Sequence, residues 1–207
     1  MTSEVVSTGA ALTRERLLEC AQQLFVLKGY ALTSVDEICA CAKTTKGAFF
    51  HHFRNKEDMA LAALDRFAWG RLDLMRSREA EWPEDPIDRY LAYVQHVSRE
   101  SVSRRQPRGC LIAILAMELG ATSETFREAC DGYFRTWGQY VRGLAEAAIA
   151  ATSQPVQVGA NDLADYFIAV FEGSVVLARS SGDLRIFERN FGCYEAYLRA
   201  IFGRPPI

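Results

Sequence analysis

Apolar residues recur three and four positions apart along almost the whole chain, which is the spacing of one face of an α-helix. No segment keeps the strict apolar–polar alternation of a half-buried β-strand. The pattern therefore predicts an all-α protein. Short polar segments that contain glycine or proline interrupt it, and each interruption predicts a boundary between two helices.

Four capped helices are predicted in the N-terminal third of the chain. Hydroxyl and amide side chains that precede an apolar stretch favour a helix start, because their oxygens accept hydrogen bonds from unpaired backbone amides. Glu37 follows Ser34 at the spacing of a capping box, and Gly29 is expected to end the first helix in a left-handed conformation. The predicted N-caps are Thr13, Ser34, Thr45 and Asn55. Three short capped helices so close together predict a compact domain.

The remaining chain is expected to form a second, larger helical domain. The fourth helix is predicted to run to about Trp82 and to connect the two domains, since Pro83 and Pro86 mark the clearest break. Further helices are predicted from Ile87 to about Ser103, Cys110 to Leu119, Ser123 to about Ala151, about Asn161 to Arg179, and Asp183 to Phe202. The expected organisation is a flexible arm (1–12), a compact domain (13–60), a connecting helix (to about 82) and a regulatory and dimerisation domain (83–207).

Composition supports a globular protein whose charge is nearly balanced. The 207 residues are 49% hydrophobic and carry a formal net charge of −2, so affinity for nucleic acid requires a local patch. The N-terminus lacks a signal peptide and no segment has the length of a membrane span, which predicts a cytoplasmic protein without membrane contacts. Six cysteines are expected to be reduced thiols, because a chain of this length needs no disulfides. They are Cys20, Cys39, Cys41, Cys110, Cys130 and Cys193.

A basic patch coincides with the second and third predicted helices. From residue 39 to residue 56 the chain has four basic residues, two histidines and no acid. A short helix, a tight turn and a second helix with small and basic groups at its start are what the DNA major groove accepts. Lys46 can reach a phosphate or a guanine edge, Gly47 allows close approach of the backbone, and the Ala48 methyl can meet a thymine methyl. Phe49 and Phe53 are expected to face the core.

These segments resemble the DNA-binding motif of the TetR family of bacterial repressors. The matching stretches are Thr33–Ile38, Thr45–Phe53 and Asn55–Glu57. The resemblance implies an all-helical homodimer that binds a double-stranded DNA operator and whose C-terminal domain binds an effector that releases it. The motif chemistry and the resemblance together give the candidate DNA-contacting residues as Ser34, Lys43, Thr44, Thr45, Lys46, Gly47, Ala48, Phe50, His51 and Lys56.

Three positions depart from the family pattern. Lys43 stands where the turn usually has glycine, so a left-handed backbone there is expected to be strained, unless the turn has a different geometry in this chain. Thr44 replaces a small apolar residue. Phe50 replaces a tyrosine, so the hydroxyl contact to phosphate is lost and only the ring can pack against the DNA backbone.

No metal or cofactor site is predicted. His51 and His52 are adjacent and point about 100° apart on a helix, whereas chelation favours a spacing of three or four. Cys39 and Cys41 fail the same test, which favours packing thiols. The chain also lacks the sequence motifs of common hydrolases, kinases and dinucleotide-binding enzymes, so we do not expect an enzyme.

The last two helices carry more apolar residues than one buried stripe requires, which indicates a helix pair that packs against a second subunit. The family resemblance implies the same four-helix interface. The alternative is that these faces pack inside one subunit. The candidate interface residues are Phe167, Phe171, Val176, Phe187, Phe191, Tyr194 and Leu198.

Two kinds of signal are compatible with the sequence. One is a small apolar ligand in a pocket of the helical domain, although aromatic stripes are more often plain core. The candidate walls are Phe67, Met75, Tyr93, His96, Met117, Tyr133 and Trp137. The other is modification of Cys110, because a helix start and the preceding arginines both favour thiolate; the Gly-Cys-Leu stretch resembles family members that sense electrophiles or oxidants. The alternative for Cys110 is a packing thiol.

The predicted function is therefore a DNA-binding repressor that responds to a signal. An activator of the same fold is an alternative, because the position of the operator relative to the promoter decides between them. A helical scaffold for protein contacts is a second alternative, but a scaffold does not require the basic patch.

Overall fold

The computed structural model describes residues 9–76, 78–103 and 109–206, with the side chains of 74–76 and 103 left out. Within these ranges the chain forms helices and no strand, which confirms the predicted all-α class. The α-helices are α1 (Gly9–Lys28), α2 (Val35–Cys41), α3 (Lys46–His52), α4 (Lys56–Arg76), α5 (Pro86–Ser103), α6 (Leu111–Leu119), α7 (Glu124–Ala151), α8 (Ala160–Ser181) and α9 (Arg185–Phe202). A short 3₁₀ turn (Glu79–Glu81) follows α4.

Two helix boundaries differ from the prediction. α1 begins at Gly9, and the Thr13 hydroxyl donates to the Gly9 carbonyl within the helix, so Thr13 is not an N-cap. The two alanines and the leucine that follow Gly9 are strong helix formers, which explains the extension. α4 ends at Arg76 rather than near Trp82. Trp82 itself is extended, as expected for a residue before proline.

The chain divides into two compact units. The first unit contains α1–α3, α4 up to Arg71, and Leu111–Cys130. In this unit α1 packs against α2, α3 and α6, and α2 packs against α3. Phe25, Ile38 and Phe49 are fully buried between these helices, and Phe53 is nearly so, which confirms that Phe49 and Phe53 face the core.

The second unit begins at Leu72 and includes α5, α8, α9 and α7 from Asp131 onward. α9 packs against both α5 and α8. Tyr90 and Tyr194 are buried there with their hydroxyl oxygens 2.6 Å apart, and the Tyr194 hydroxyl donates to the Leu163 carbonyl. These bonds satisfy the polar ends of two tyrosines in an otherwise apolar core.

Most of the predicted dimer-interface residues lie in this core. The six that are buried in their own subunit are Phe167, Phe171, Phe187, Phe191, Tyr194 and Leu198. Their side chains cannot present a surface to a second copy, so the predicted interface has the wrong helix faces. Of the seven candidates only Val176 is exposed, at 61% of its surface.

None of the described helices is both long and apolar enough to cross a membrane.

Candidate DNA-binding site

Side-chain caps fix the starts of α2, α3 and α4. The Ser34 hydroxyl accepts from the Glu37 amide, and the Glu37 carboxylate accepts from the Ser34 amide at 2.9 Å, which is the predicted capping box. Thr45 caps α3, since its hydroxyl accepts from the Ala48 amide at 3.2 Å. Asn55 likewise accepts from the Asp58 amide at the start of α4. The three caps are local features that the sequence predicted correctly.

Glu37 also joins α2 to α1. Its carboxylate pairs with the Lys28 ammonium at the last turn of α1. This hydrogen bond, followed by those from Ser34, lowers the pKa of Glu37 to about 2. The capping box therefore keeps its charged form throughout the neutral range.

The turn contains a strained residue. Lys43 has φ of +51°, and within the described residues it is the one non-glycine residue with a positive φ. The turn therefore keeps the left-handed backbone of the family pattern, and a lysine carries it. A side chain in that region costs roughly 1 to 2 kcal/mol, because the Cβ crowds the following carbonyl. The turn places Thr44 and Thr45 directly before α3.

α3 exposes the predicted reading face. Lys46, Gly47, Phe50 and His51 are exposed, whereas Phe49 between them is buried. The exposed ring of Phe50 packs edge-on against Phe49. The face is therefore a small, basic and aromatic surface supported by a buried ring.

Two candidates lie at the edge of this face, and a third is ion-paired. Ala48 and Thr44 are half-buried beside the exposed face. The Lys46 ammonium pairs with the exposed Asp36 carboxylate of α2 at 2.8 Å, and this contact raises the pKa of Lys46. A contact between Lys46 and DNA would therefore require the ion pair with Asp36 to break. The sequence did not indicate this pair.

Lys56 does not extend toward solvent as a phosphate ligand should. Its ammonium donates to the carbonyls of Tyr30 and Thr33, at 3.0 Å each, and lies 4.0 Å from the centre of the Tyr30 ring. Burial lowers the pKa of Lys56. The side chain thus holds the segment between α1 and α2, and the position of its ammonium argues against the predicted contact with DNA.

Glu118, near the end of α6, holds the same segment from another side. Its carboxylate accepts from the backbone amides of Tyr30 and Ala31 at 3.1 and 2.7 Å. Gly29, with φ of +90°, gives the carboxylate room, because a Cβ there would lie 2.4 Å from a Glu118 oxygen. The loop that precedes α2 is therefore tied to α6, a contact that sequence reasoning missed because the two segments are far apart in the chain.

The cysteines are not all free thiols. Cys20 of α1 and Cys41 of α2 form a disulfide, which corrects the prediction of six reduced cysteines and of Cys41 as a packing thiol. The packing of α2 on α1 brings together two positions that neither helical spacing nor motif could pair. Cys39 is free and buried, and burial raises the pKa of its thiol.

The candidate pocket residues fall in both units. Tyr93, His96 and Trp137 are buried in the second unit, where the Trp137 indole donates to the Tyr93 hydroxyl at 2.7 Å. Tyr133 is half-buried in that unit. Burial is the main cause that lowers the pKa of His96.

Two other candidates lie in the first unit. Met117 lies in the first unit and is 82% exposed, so it is not a wall of an enclosed pocket. Phe67 also lies in the first unit and is half-buried. The side chain of Met75 lies outside the described residues.

Cys110 directly precedes α6, as predicted, but it is only 4% exposed. A buried thiol meets a reagent only when the surrounding side chains move. The arginines Arg104, Arg105 and Arg108, whose charge was expected to favour its thiolate, lie outside the described residues.

The comparisons with known proteins agree with this geometry. The family model of TetR-family bacterial regulatory proteins matches residues 17–63, and that of the C-terminal domain of LmrA/YxaF-like transcriptional regulators matches residues 86–190. The first match spans the whole α2–turn–α3 segment. The second covers about half of the chain.

Three relatives illustrate the similarity. The transcriptional regulator AcuR of Cereibacter sphaeroides is 28% identical over 88% of this chain and 85% of its own. The transcriptional repressor NemR of Escherichia coli is 32% identical over 58% of this chain and 60% of its own, and its reduced crystal structure has a TM-score of 0.74, with 26% identity over 93% and 99% of the two chains. A regulatory TetR protein from Rhodobacter sphaeroides has a TM-score of 0.77 at 26% identity, over 89% and 97%.

Both family models, and the exposed α3 face on a capped helix-turn-helix, lead to one conclusion: the chain belongs to the TetR family of bacterial transcriptional regulators, and it is a DNA-binding protein.

Proposed function

We propose that the protein is a homodimeric repressor that leaves a palindromic operator when an effector binds the second unit or when Cys110 is modified. The observation that carries DNA binding is the exposed face of α3. The name of the NemR relative, a repressor, supports repression over activation. DNA contacts are assigned to the domain of residues 13–60, and dimerisation and signal reception to residues 83–207. Because the family consists of bacterial regulators that act on DNA, we place the protein in the cytoplasm.

The dimer interface is assigned to the outward faces of α8 and α9. Tyr166, Val176 and Leu177 of α8 are large, mostly apolar side chains with 49% to 61% of their surface exposed, and Tyr197 of α9 is also exposed. Tyr166 and Tyr197 contact each other edge-on, so the two faces are continuous. Small exposed residues on the same faces permit close helix packing: Ala169, Gly173, Ala196 and Ala200. A second copy would cover this apolar surface and place two α3 helices about one DNA turn, or roughly 34 Å, apart.

The signal is assigned to the aromatic group of the second unit or to Cys110. Tyr93 and Trp137 carry polar atoms within a buried aromatic cluster that includes Phe167, and His96 is a buried polar residue of the same unit; a few polar groups among apolar side chains are what ligand pockets require. Cys110 lies one residue before α6, whose other end carries Glu118. Movement of α6 would therefore act on the loop before α2 through the two hydrogen bonds that Glu118 accepts.

Release requires a modest shift between two conformations. One places the two α3 helices in successive major grooves, and in the other they are too far apart. A hundredfold loss of affinity corresponds to a preference of about 2.7 kcal/mol for the second conformation, which is within the usual range of coupling energies. α4 and α6 are the proposed transmitting helices.

The test of DNA binding uses Lys46→Gln with a DNA duplex obtained by selection from genomic fragments. Loss of one phosphate contact should weaken binding and reduce the slope of log affinity against log salt by about 1. Arg142→Gln removes the same charge from the exposed, ion-paired surface of α7 and should bind as the wild type does. Equal salt slopes for wild type and Lys46→Gln would contradict the assignment of α3 as the reading helix.

The test of the interface uses Leu177→Glu. Two like charges on a shared apolar face should yield monomers in sedimentation velocity and abolish cooperative operator binding. Gln139→Glu adds the same charge at an exposed position of α7 and should remain dimeric. A dimeric Leu177→Glu variant would refute the assigned faces.

A further inference from the structure

The disulfide between Cys20 and Cys41 lies in the first unit, next to the turn that precedes α3. Cys41 is the last residue of α2, and the turn residue Lys43 follows two positions later. The bond anchors the end of α2 to α1, with 5.8 Å between the two Cα atoms. The N-cap of the reading helix, Thr45, is only four residues from the anchored cysteine.

Stabilisation of the fold alone does not explain why this bond is present. The first unit already has a packed core of fully buried side chains, among them Leu17, Phe25 and Phe49. Disulfides in the cytoplasm, where we place this regulator, are mostly transient, catalytic or redox-sensing. The two cysteines also differ in access: Cys41 is exposed, whereas Cys20 is buried against the core. An accessible thiol next to a protected one is the arrangement of an attacking and a resolving cysteine.

We propose that Cys20 and Cys41 form a reversible thiol–disulfide site for low-molecular-weight disulfides, and that its redox state sets the operator affinity. This inference rests on the proposed DNA-binding function. It concerns a site separate from both Cys110 and the aromatic group of the second unit.

The chemistry is two successive exchanges. The Cys41 thiolate attacks one sulfur of a disulfide RSSR, which forms a mixed disulfide and releases one thiol, RSH. The Cys20 thiolate then attacks the Cys41 sulfur, which forms the internal disulfide and releases the second RSH. The protein loses two hydrogens, and RSSR is reduced to two RSH. Excess thiol reverses both steps.

The disulfide form should bind the operator more tightly. Lys43 holds a backbone conformation that non-glycine residues disfavour, and the bond keeps the chain next to it in place. After reduction the end of α2 is free to relax, so the turn and the start of α3 lose their fixed position. The strain of one such residue corresponds to about a tenfold change in an equilibrium constant. We therefore expect reduction of the disulfide to weaken operator binding about fivefold to tenfold.

The experiment measures operator binding by fluorescence anisotropy for wild type and Cys41→Ser. Each protein is equilibrated with glutathione disulfide or with excess reduced glutathione, and peptide mapping by mass spectrometry reports the Cys20–Cys41 bond in the same samples. The expected result is tighter binding by the disulfide form of the wild type. Cys41→Ser should bind like the reduced wild type in both conditions. A response that persists in Cys41→Ser would assign the effect to another cysteine and overturn the proposal.

Two other results would also overturn it. One is equal operator affinity of wild-type samples whose mapping shows the disulfide present in one and absent in the other. The second is failure of glutathione disulfide to form the bond in the folded protein. Absence of operator binding in every sample would instead refute the DNA-binding function, so the two failures are distinguishable.

Discussion

Substitutions of Lys43 separate the effect of its strained backbone on stability from the effect of its charge on DNA binding. Replacing Lys43 by glycine relieves a left-handed conformation that costs a side chain roughly 1 to 2 kcal/mol. Glycine also makes the unfolded chain more flexible, which costs about 0.4 to 1 kcal/mol. The difference predicts that Lys43→Gly raises the free energy of unfolding by about 0.5 to 1 kcal/mol, or about 2 °C in the melting temperature of a chain of this size.

Lys43→Ala is the matched control, because it removes the same charge and keeps the strained backbone. Its melting temperature in differential scanning calorimetry should equal that of the wild type within about 1 °C. Both variants should lose affinity for the operator by the same charge effect, with a salt slope reduced by about 1 if Lys43 meets a phosphate. A Lys43→Gly protein less stable than Lys43→Ala would refute the account of the turn.

Three further perturbations follow from the structure. Cys41→Ser should lower the free energy of unfolding of the first unit by about 3 kcal/mol in urea titration, because the disulfide closes a loop with a sequence separation of 21 residues. Glu118→Gln should lower the free energy of unfolding by about 1 kcal/mol in a thermal melt, since it weakens the charge-assisted hydrogen bonds from the Tyr30 and Ala31 amides. His96 is buried with a lowered pKa, so the unfolded chain gains a proton below about pH 6.5 before the folded protein does. The free energy of unfolding should therefore fall as the pH drops from about 6.5 toward the pKa of His96 in the folded protein. In His96→Gln, the urea midpoint should depend less on pH over the same range.

Each of these has its own control. Reducing agent should bring the wild type to the urea midpoint of Cys41→Ser and leave the variant unchanged, and an unchanged wild type would contradict the loop-closure argument. Glu128→Gln alters an exposed carboxylate within α7 and should leave stability as it is, so a larger effect there than at Glu118 would contradict the anchoring role. For His96, a pH series of the variant that parallels the wild type would show that other groups cause the loss.

Local signals in the sequence predicted the structure of the α2–turn–α3 segment well. Caps at Ser34 and Thr45 depend on residues three positions away, so they are set before any tertiary packing. The left-handed turn at Lys43 followed from the position of glycine in the family pattern. Phe49 lies inward and Phe50 outward because successive helical residues point about 100° apart.

The predictions that failed depend on contacts between distant segments. Phe187 and Phe191 share a helix face, but periodicity does not tell whether that face meets its own subunit or a partner, and both are buried. The bond between Cys20 and Cys41 exists because α1 and α2 pack together. The Lys56 ammonium lies on backbone carbonyls that only the folded loop brings to it. None of these contacts leaves a trace in the spacing of residues.

The most direct test of the central claim is the DNA sequence that the purified protein selects from genomic fragments. A homodimer that reads with α3 should enrich a palindrome whose half-site centres lie about 10 base pairs, or a multiple of that, apart. Protection from hydroxyl-radical cleavage should cover both half-sites at once, at a stoichiometry of whole dimers. Recovery of fragments with no shared sequence, or of a single half-site without symmetry, would contradict the account.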